Sequence, residues 1–141
     1  MYSFRKSKKG FTLIELMVVV VIIGVLALLG LRLYLTQIAK SNNALVKANA
    51  GTVQTTIQGD LADSDAATVW GWWQAGSLVT RTGIHNPLLK LPQTLHPEDS
   101  ASALAGDVWV SYDASAASFA INGKNADGTA DVYTTDLVAK Y

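Results

Sequence analysis

Residues 8–16 read KKGFTLIEL, and the run continues as MVVVVIIGVLALLGL to Leu31, just before the next charge at Arg32. From Phe11 to Leu31 there are 21 residues carrying a single charge, Glu15. A helix needs about 20 mainly apolar residues to cross a bilayer, so the stretch is of membrane length. Arg5, Lys6, Lys8 and Lys9 stand before it and Arg32 alone stands close behind it. That asymmetry orients the segment with its N-terminus in the cytoplasm and the rest of the chain outside. As a secretory signal the run is too long, contains Glu15 and lacks a small-x-small cleavage site. As a plain anchor it fits in length and flanks but leaves Glu15 unexplained. An acidic side chain costs roughly 2–3 kcal/mol at the centre of a membrane helix, and less near its end.

The segment KKGFTLIELMVVVVIIG resembles the N-terminal signature of type IV prepilins and the related pseudopilins. The resemblance covers about the first quarter of the chain and rests on a basic leader, a Gly, Phe-Thr-Leu-Ile-Glu and a long apolar run. It implies that residues 1–10 are a leader cut off by a prepilin peptidase between Gly10 and Phe11, that the Phe11 amine is N-methylated, and that Glu15 acts in assembly. It also implies partners: copies of the chain itself in a homopolymer, the peptidase, and an assembly platform in the inner membrane. The precursor and subunit pool would sit in the inner membrane, and the assembled filament outside the cell. Cleavage would create an ammonium in an apolar setting, where an isolated charge is expensive. A carboxylate one helical turn along, or on a neighbouring copy, offers it a partner and penalises misregistered stacking. The chain departs from the family in two places. Many pilins carry Pro where Arg32 stands, so Gly24 and Gly30 are the soft points left in the stalk. Many also close a C-terminal loop with a disulfide, which a chain without cysteine cannot do.

Past Arg32 the pattern turns amphipathic. Tyr34, Leu35, Ile38, Leu45, Val46, Ala50, Val53, Ile57 and Leu61 recur at helical spacing, between Lys40, Lys47, Gln54 and Gln58. One helix is expected from Phe11 to about Gln58, stopped by Gly59-Asp60. Its apolar half is 11–31 and its amphipathic half 32–60, with a head over 61–141. Within the head, 61–106 reads as loop and connection. Asp63 or Ser64 can cap a short helix through Val69–Gln74 that ends at Gly76. Trp70, Trp72 and Trp73 stand together in WGWWQ. Core filling against the stalk accounts for at least one of them, while Trp72 points away from the face shared by Trp70 and Trp73 and is a candidate subunit contact. Pro87, Pro92 and Pro97 mark an irregular loop. DVWVSY, SFAIN and VYTT then read as three antiparallel strands spanning 107–135. Their inner face should hold Val108, Val110, Phe119, Ile121 and either Val132 or Tyr133. The fold class is α+β: a long N-terminal helix against a small antiparallel sheet, the lollipop that the pilin resemblance also implies.

The formal charge is zero, yet all eleven acidic residues follow Gly10; without residues 1–10 the chain has 7 basic against 11 acidic side chains, a net of −4. Such a surface gives no support for nucleic-acid binding. No catalytic set or cofactor fingerprint is present, so no enzyme and no cofactor is expected. His85 and His96 lack metal-ligand spacing and read as loop residues. Asn125–Asp136 has acidic and amide residues in alternation, but its Gly is displaced from the calcium-loop position and Asp-Gly is a hairpin-turn signal, so the turn reading is preferred. The expected function is a structural type IV pilus subunit. A pseudopilin of a secretion or DNA-uptake system shares the same N-terminus, and a membrane-anchored binding module using the Trp cluster is the reading from another class.

Overall fold

A computed structural model of the chain describes residues 10–93 and 98–140. The leader charges at Arg5, Lys6, Lys8 and Lys9, together with His96 and Pro97, lie outside the described residues. The element order is α1 (Leu13–Asp63), α2 (Ala66–Gln74), α3 (Ser77–Thr82), β1 (Val108–Asp113), β2 (Ser118–Gly123) and β3 (Leu137–Lys140). The chain divides after Gln37 into two compact units, so α1 contributes to both.

In the first unit the helix runs through Gly24 and Gly30 without a break. Nineteen large apolar residues from Phe11 to Leu35 are at least half exposed. Burying one such side chain is worth about 1.5–3 kcal/mol, so this surface represents tens of kcal/mol awaiting a cover. Among the described residues it contains the one helix long and apolar enough to cross a membrane.

The second unit, from Ile38 onward, is built on the other half of α1. Val46, Ala50, Val53, Ile57 and Leu61 are its buried face, at steps of three and four residues. The expected stop at Gly59-Asp60 is overturned: α1 continues to Asp63. The physical reason is Leu61, only 2% exposed, whose burial outweighs the roughly 1 kcal/mol that a helical glycine costs. In this unit Ile38 and Leu45 of the apolar series stay exposed, as do Tyr34 and Leu35 in the first.

Two helices occupy the stretch expected to be connecting structure. The N-cap of α2 is Asp65 rather than Asp63 or Ser64; its carboxylate accepts from the Thr68 backbone N–H at 3.1 Å and from the Thr68 hydroxyl at 2.7 Å. These bonds, the hydroxyl's first, hold the Asp65 carboxyl below its ordinary pKa. Gly76, at φ 73°, ends one helix and opens the next, a left-handed turn that glycine adopts without penalty. Among the tryptophans, Trp73 is fully buried, while Trp70 stacks on Tyr112 with 5.8 Å between ring centres and Tyr112 lies 4.9 Å from Phe119.

The sheet is an antiparallel meander in the order β1-β2-β3. Val110 faces Ile121, Phe119 faces Ala139 and Ile121 faces Leu137. Val108, Val110, Phe119 and Ile121 are all fully buried, so the expected inner face holds for the first two strands. The third is corrected: VYTT is a bent segment, and the strand is Leu137–Lys140, with Ala139 buried. Buried Asn122 explains the displacement. Its amide donates to the Tyr133 carbonyl (3.0 Å) and Asp136 (2.8 Å), and its oxygen accepts from Tyr133 N–H (3.1 Å), holding 133–136 off the ladder until Leu137. The outer edge of β3 is met by α1. Gln54 Nε2 donates to the Val138 carbonyl at 2.9 Å, Gln58 Nε2 to the Lys140 carbonyl at 2.8 Å, and Gln58 Oε1 accepts from the Lys140 N–H at 3.4 Å.

Candidate assembly segment and head surface

Gly10 and Phe11 precede α1 and are open, Phe11 being 90% exposed. A Cβ added at Gly10 would meet nothing within 4 Å, so nothing in the described fold demands glycine there. Thr12 and Glu15 form a reciprocal cap. The Glu15 carboxylate accepts from the Thr12 backbone N–H and hydroxyl, both at 2.9 Å, and Thr12 Oγ1 accepts from the Glu15 N–H at 3.3 Å. This is the S/T-x-x-E capping box, which satisfies backbone donors left unpaired at a helix N-terminus. In the sequence Glu15 reads as a charge in an apolar run and as an assembly residue; Thr-Leu-Ile-Glu at 12–15 is the signal that reveals the cap as well. The carboxylate therefore sits one turn from the Gly10–Phe11 bond, held in place by its own chain.

On the head, Trp72 is half-buried. The Arg81 guanidinium lies 5.9 Å from its ring centre and bonds both oxygens of Asp60, at 2.9 and 3.1 Å. That pairing raises the Arg81 pKa further above its already high value. Trp72 thus joins α2, α3 and the end of α1 with part of its ring uncovered, and the Trp cluster forms no open aromatic platform. The segment 125–131 is a turn. Asn125 and Asp127 oxygens accept from the Thr129 N–H at 3.1 and 2.9 Å, Gly128 has φ 73°, and Asp131 pairs with Lys124 at 3.1 Å. Among the described residues no three His, Asp or Glu gather as a metal site. His85 is a loop residue, with Nδ1 2.7 Å from the Gly83 carbonyl.

Residues 5–31 match the family model described as the prokaryotic N-terminal methylation motif. Over 127 residues the chain is 36% identical to the type IV major fimbrial protein FimA of Dichelobacter nodosus, covering 89% of this chain and 77% of FimA. It is 44% identical over 63 residues to the fimbrial protein EcpB of Eikenella corrodens, covering 45% of this chain and 40% of EcpB. With the type IV major alpha-pilin of Moraxella bovis it shares 42% identity over 55 residues, 39% of this chain and 35% of that one. No solved structure matches. The chain belongs to the type IV pilin family, and its long N-terminal helix with a small three-stranded antiparallel sheet is the α+β fold of that family.

Proposed function

We propose that this chain is a structural subunit of a type IV pilus, held in the inner membrane as a precursor, processed and methylated at Phe11, and polymerised into an extracellular filament. The observation that carries the reading is the uncovered half of α1: nineteen large apolar side chains exposed from Phe11 to Leu35, beginning at the methylation motif. Lipid covers them in the stored subunit, and the stalks of other copies cover them in the filament, with heads outside. The peptidase cuts between Gly10 and Phe11 on the cytoplasmic side, and an inner-membrane platform receives the mature subunit. Glu15 then trades its cap to Thr12 for the Phe11 amine of an adjacent copy. Trp72 supplies part of the lateral contact between heads. The FimA likeness favours a pilus subunit over a pseudopilin, because it extends through the head and not the shared N-terminus alone.

The test is mass analysis of the membrane pool with electron microscopy of the cell surface. Chains that begin at a methylated Phe11, together with long surface fibres containing them, are expected. An intact Met1 in the mature protein would return the chain to the plain-anchor reading.

A further inference from the structure

The loop between α3 and β1 carries a feature that pilus membership does not explain. Its backbone doubles back on itself: Gln93 N–H donates to the Ile84 carbonyl (3.1 Å), Asn86 N–H to Leu91 (3.0 Å) and Lys90 N–H to Asn86 (3.0 Å). Asn86, 2% exposed, fixes the tip from inside. Its oxygen accepts from the N–H groups of Leu88 (2.9 Å) and Leu89 (3.2 Å), and its amide donates to the Ala105 carbonyl (3.0 Å) and to Asp107 (2.8 Å). Gly106 is required opposite it, since a Cβ there would lie 2.7 Å from Asn86 Oδ1. A buried polar group with all these bonds made rigidifies what it holds. What it holds is Leu89 and Leu91, each 58% exposed, on either side of Lys90, whose φ of 58° is strained for a residue with a Cβ. Strain of this kind persists where the surroundings impose it, and gathers at functional positions.

We infer that Leu89, Lys90 and Leu91 form a rigid basic-apolar knob that docks on the acidic head surface of a second copy of this chain. The inference rests on the pilus reading above. Charge complementarity selects the occupant. The head carries an excess of carboxylates: among the described residues Arg81 and Lys124 are paired to Asp60 and Asp131, while Asp63, Asp65 and Asp113 stand exposed. A basic-apolar knob on one face meeting exposed carboxylates on a different face of the next copy is a heterologous contact, the kind that propagates into a filament rather than closing a dimer.

The experiment compares filament yield and membrane-held subunit for wild type, Leu89→Ser/Leu91→Ser, Lys90→Glu, Lys90→Arg and the control Leu104→Ser, an exposed leucine outside residues 89–91. Because the chain has no cysteine, Leu89→Cys also reports neighbours through a bifunctional thiol-to-amine cross-linker without competing thiols. The double serine variant and Lys90→Glu should lose at least about tenfold in filament yield with an unchanged membrane pool, Lys90→Arg and Leu104→Ser should match wild type, and position 89 should cross-link to a second copy in filaments. Wild-type filament yield from the double serine variant, or cross-linking of position 89 only to lipid or another protein, overturns the knob. Failure of the wild-type chain itself to form filaments would instead defeat the pilus reading.

Discussion

Replacing Glu15 separates two roles that share one carboxylate. Glu15→Gln keeps an oxygen able to accept from the Thr12 N–H, now at 2.9 Å, but removes the charge; Glu15→Val removes both. If the side chain served only the capping box, Glu15→Gln would be nearly silent, and Glu15→Val would loosen only the first turn of the helix. If it also meets a Phe11 ammonium inside a bundle of stalks, both variants leave that ammonium without a partner. Removing one member of a buried pair costs about 3–5 kcal/mol. At about 1.4 kcal/mol per tenfold, assembly should fall by roughly two to nearly four powers of ten in each. Membrane retention should move the other way for Glu15→Val, since an apolar side chain replaces a charged one in the apolar run. The assay is filament yield against membrane-held subunit, by fractionation and electron microscopy, for wild type and both variants. Glu15→Gln filaments at wild-type yield would refute the ion-pair reasoning and leave the cap as the whole explanation.

Three further outcomes are expected. Gln54→Leu/Gln58→Leu, which keeps helix propensity, should lower head stability by about 1–2 kcal/mol and its thermal midpoint by several degrees, because the β3 edge loses its side-chain partners; an unchanged midpoint in circular dichroism would show those bonds contribute nothing. The Asp65 carboxyl is depressed by its bonds from Thr68, so its ionised form adds stability above the ordinary Asp value of about 3.9 and loses it as pH falls through the lower folded value. The midpoint difference between wild type and Asp65→Asn should therefore shift in favour of the variant on acidification below about pH 4, and a pH-independent difference refutes the link. Trp72→Ala should leave the head folded, because Trp73 fills the core, yet reduce filament yield several-fold; wild-type yield would remove Trp72 from the interface.

Periodicity made most of this fold legible. The buried face Val46, Ala50, Val53, Ile57 and Leu61 could be read directly from its spacing, as could the alternation that buries Val108, Val110, Phe119 and Ile121. Misreadings arose where a long-range contact decided a local choice. Gly59-Asp60 has the local chemistry of a helix stop, but the packing of Leu61 lies beyond any local window. VYTT has better strand composition than LVAK, and the three bonds that Asn122 makes to Tyr133 and Asp136 exclude it from the ladder. Gln54 and Gln58 looked like spacers because their partners lie more than eighty residues away. At the N-terminus the methylation motif is legible in the residues that the family model matches, and the Thr12–Glu15 cap is legible in the Thr-x-x-Glu spacing alone.

The two glutamines that meet β3 bear on how such a subunit survives storage. On the function proposed above, many copies would crowd one membrane plane before assembly, each with a short sheet whose β3 edge would otherwise offer free amides and carbonyls to its neighbours. An open strand of that kind recruits other chains edge to edge, the route to irreversible cross-β deposits. Here the Val138 carbonyl and both the carbonyl and N–H of Lys140 are occupied by side chains rooted in α1. A neighbouring strand must therefore displace side chains of the subunit's own main helix before it can add at the β3 edge.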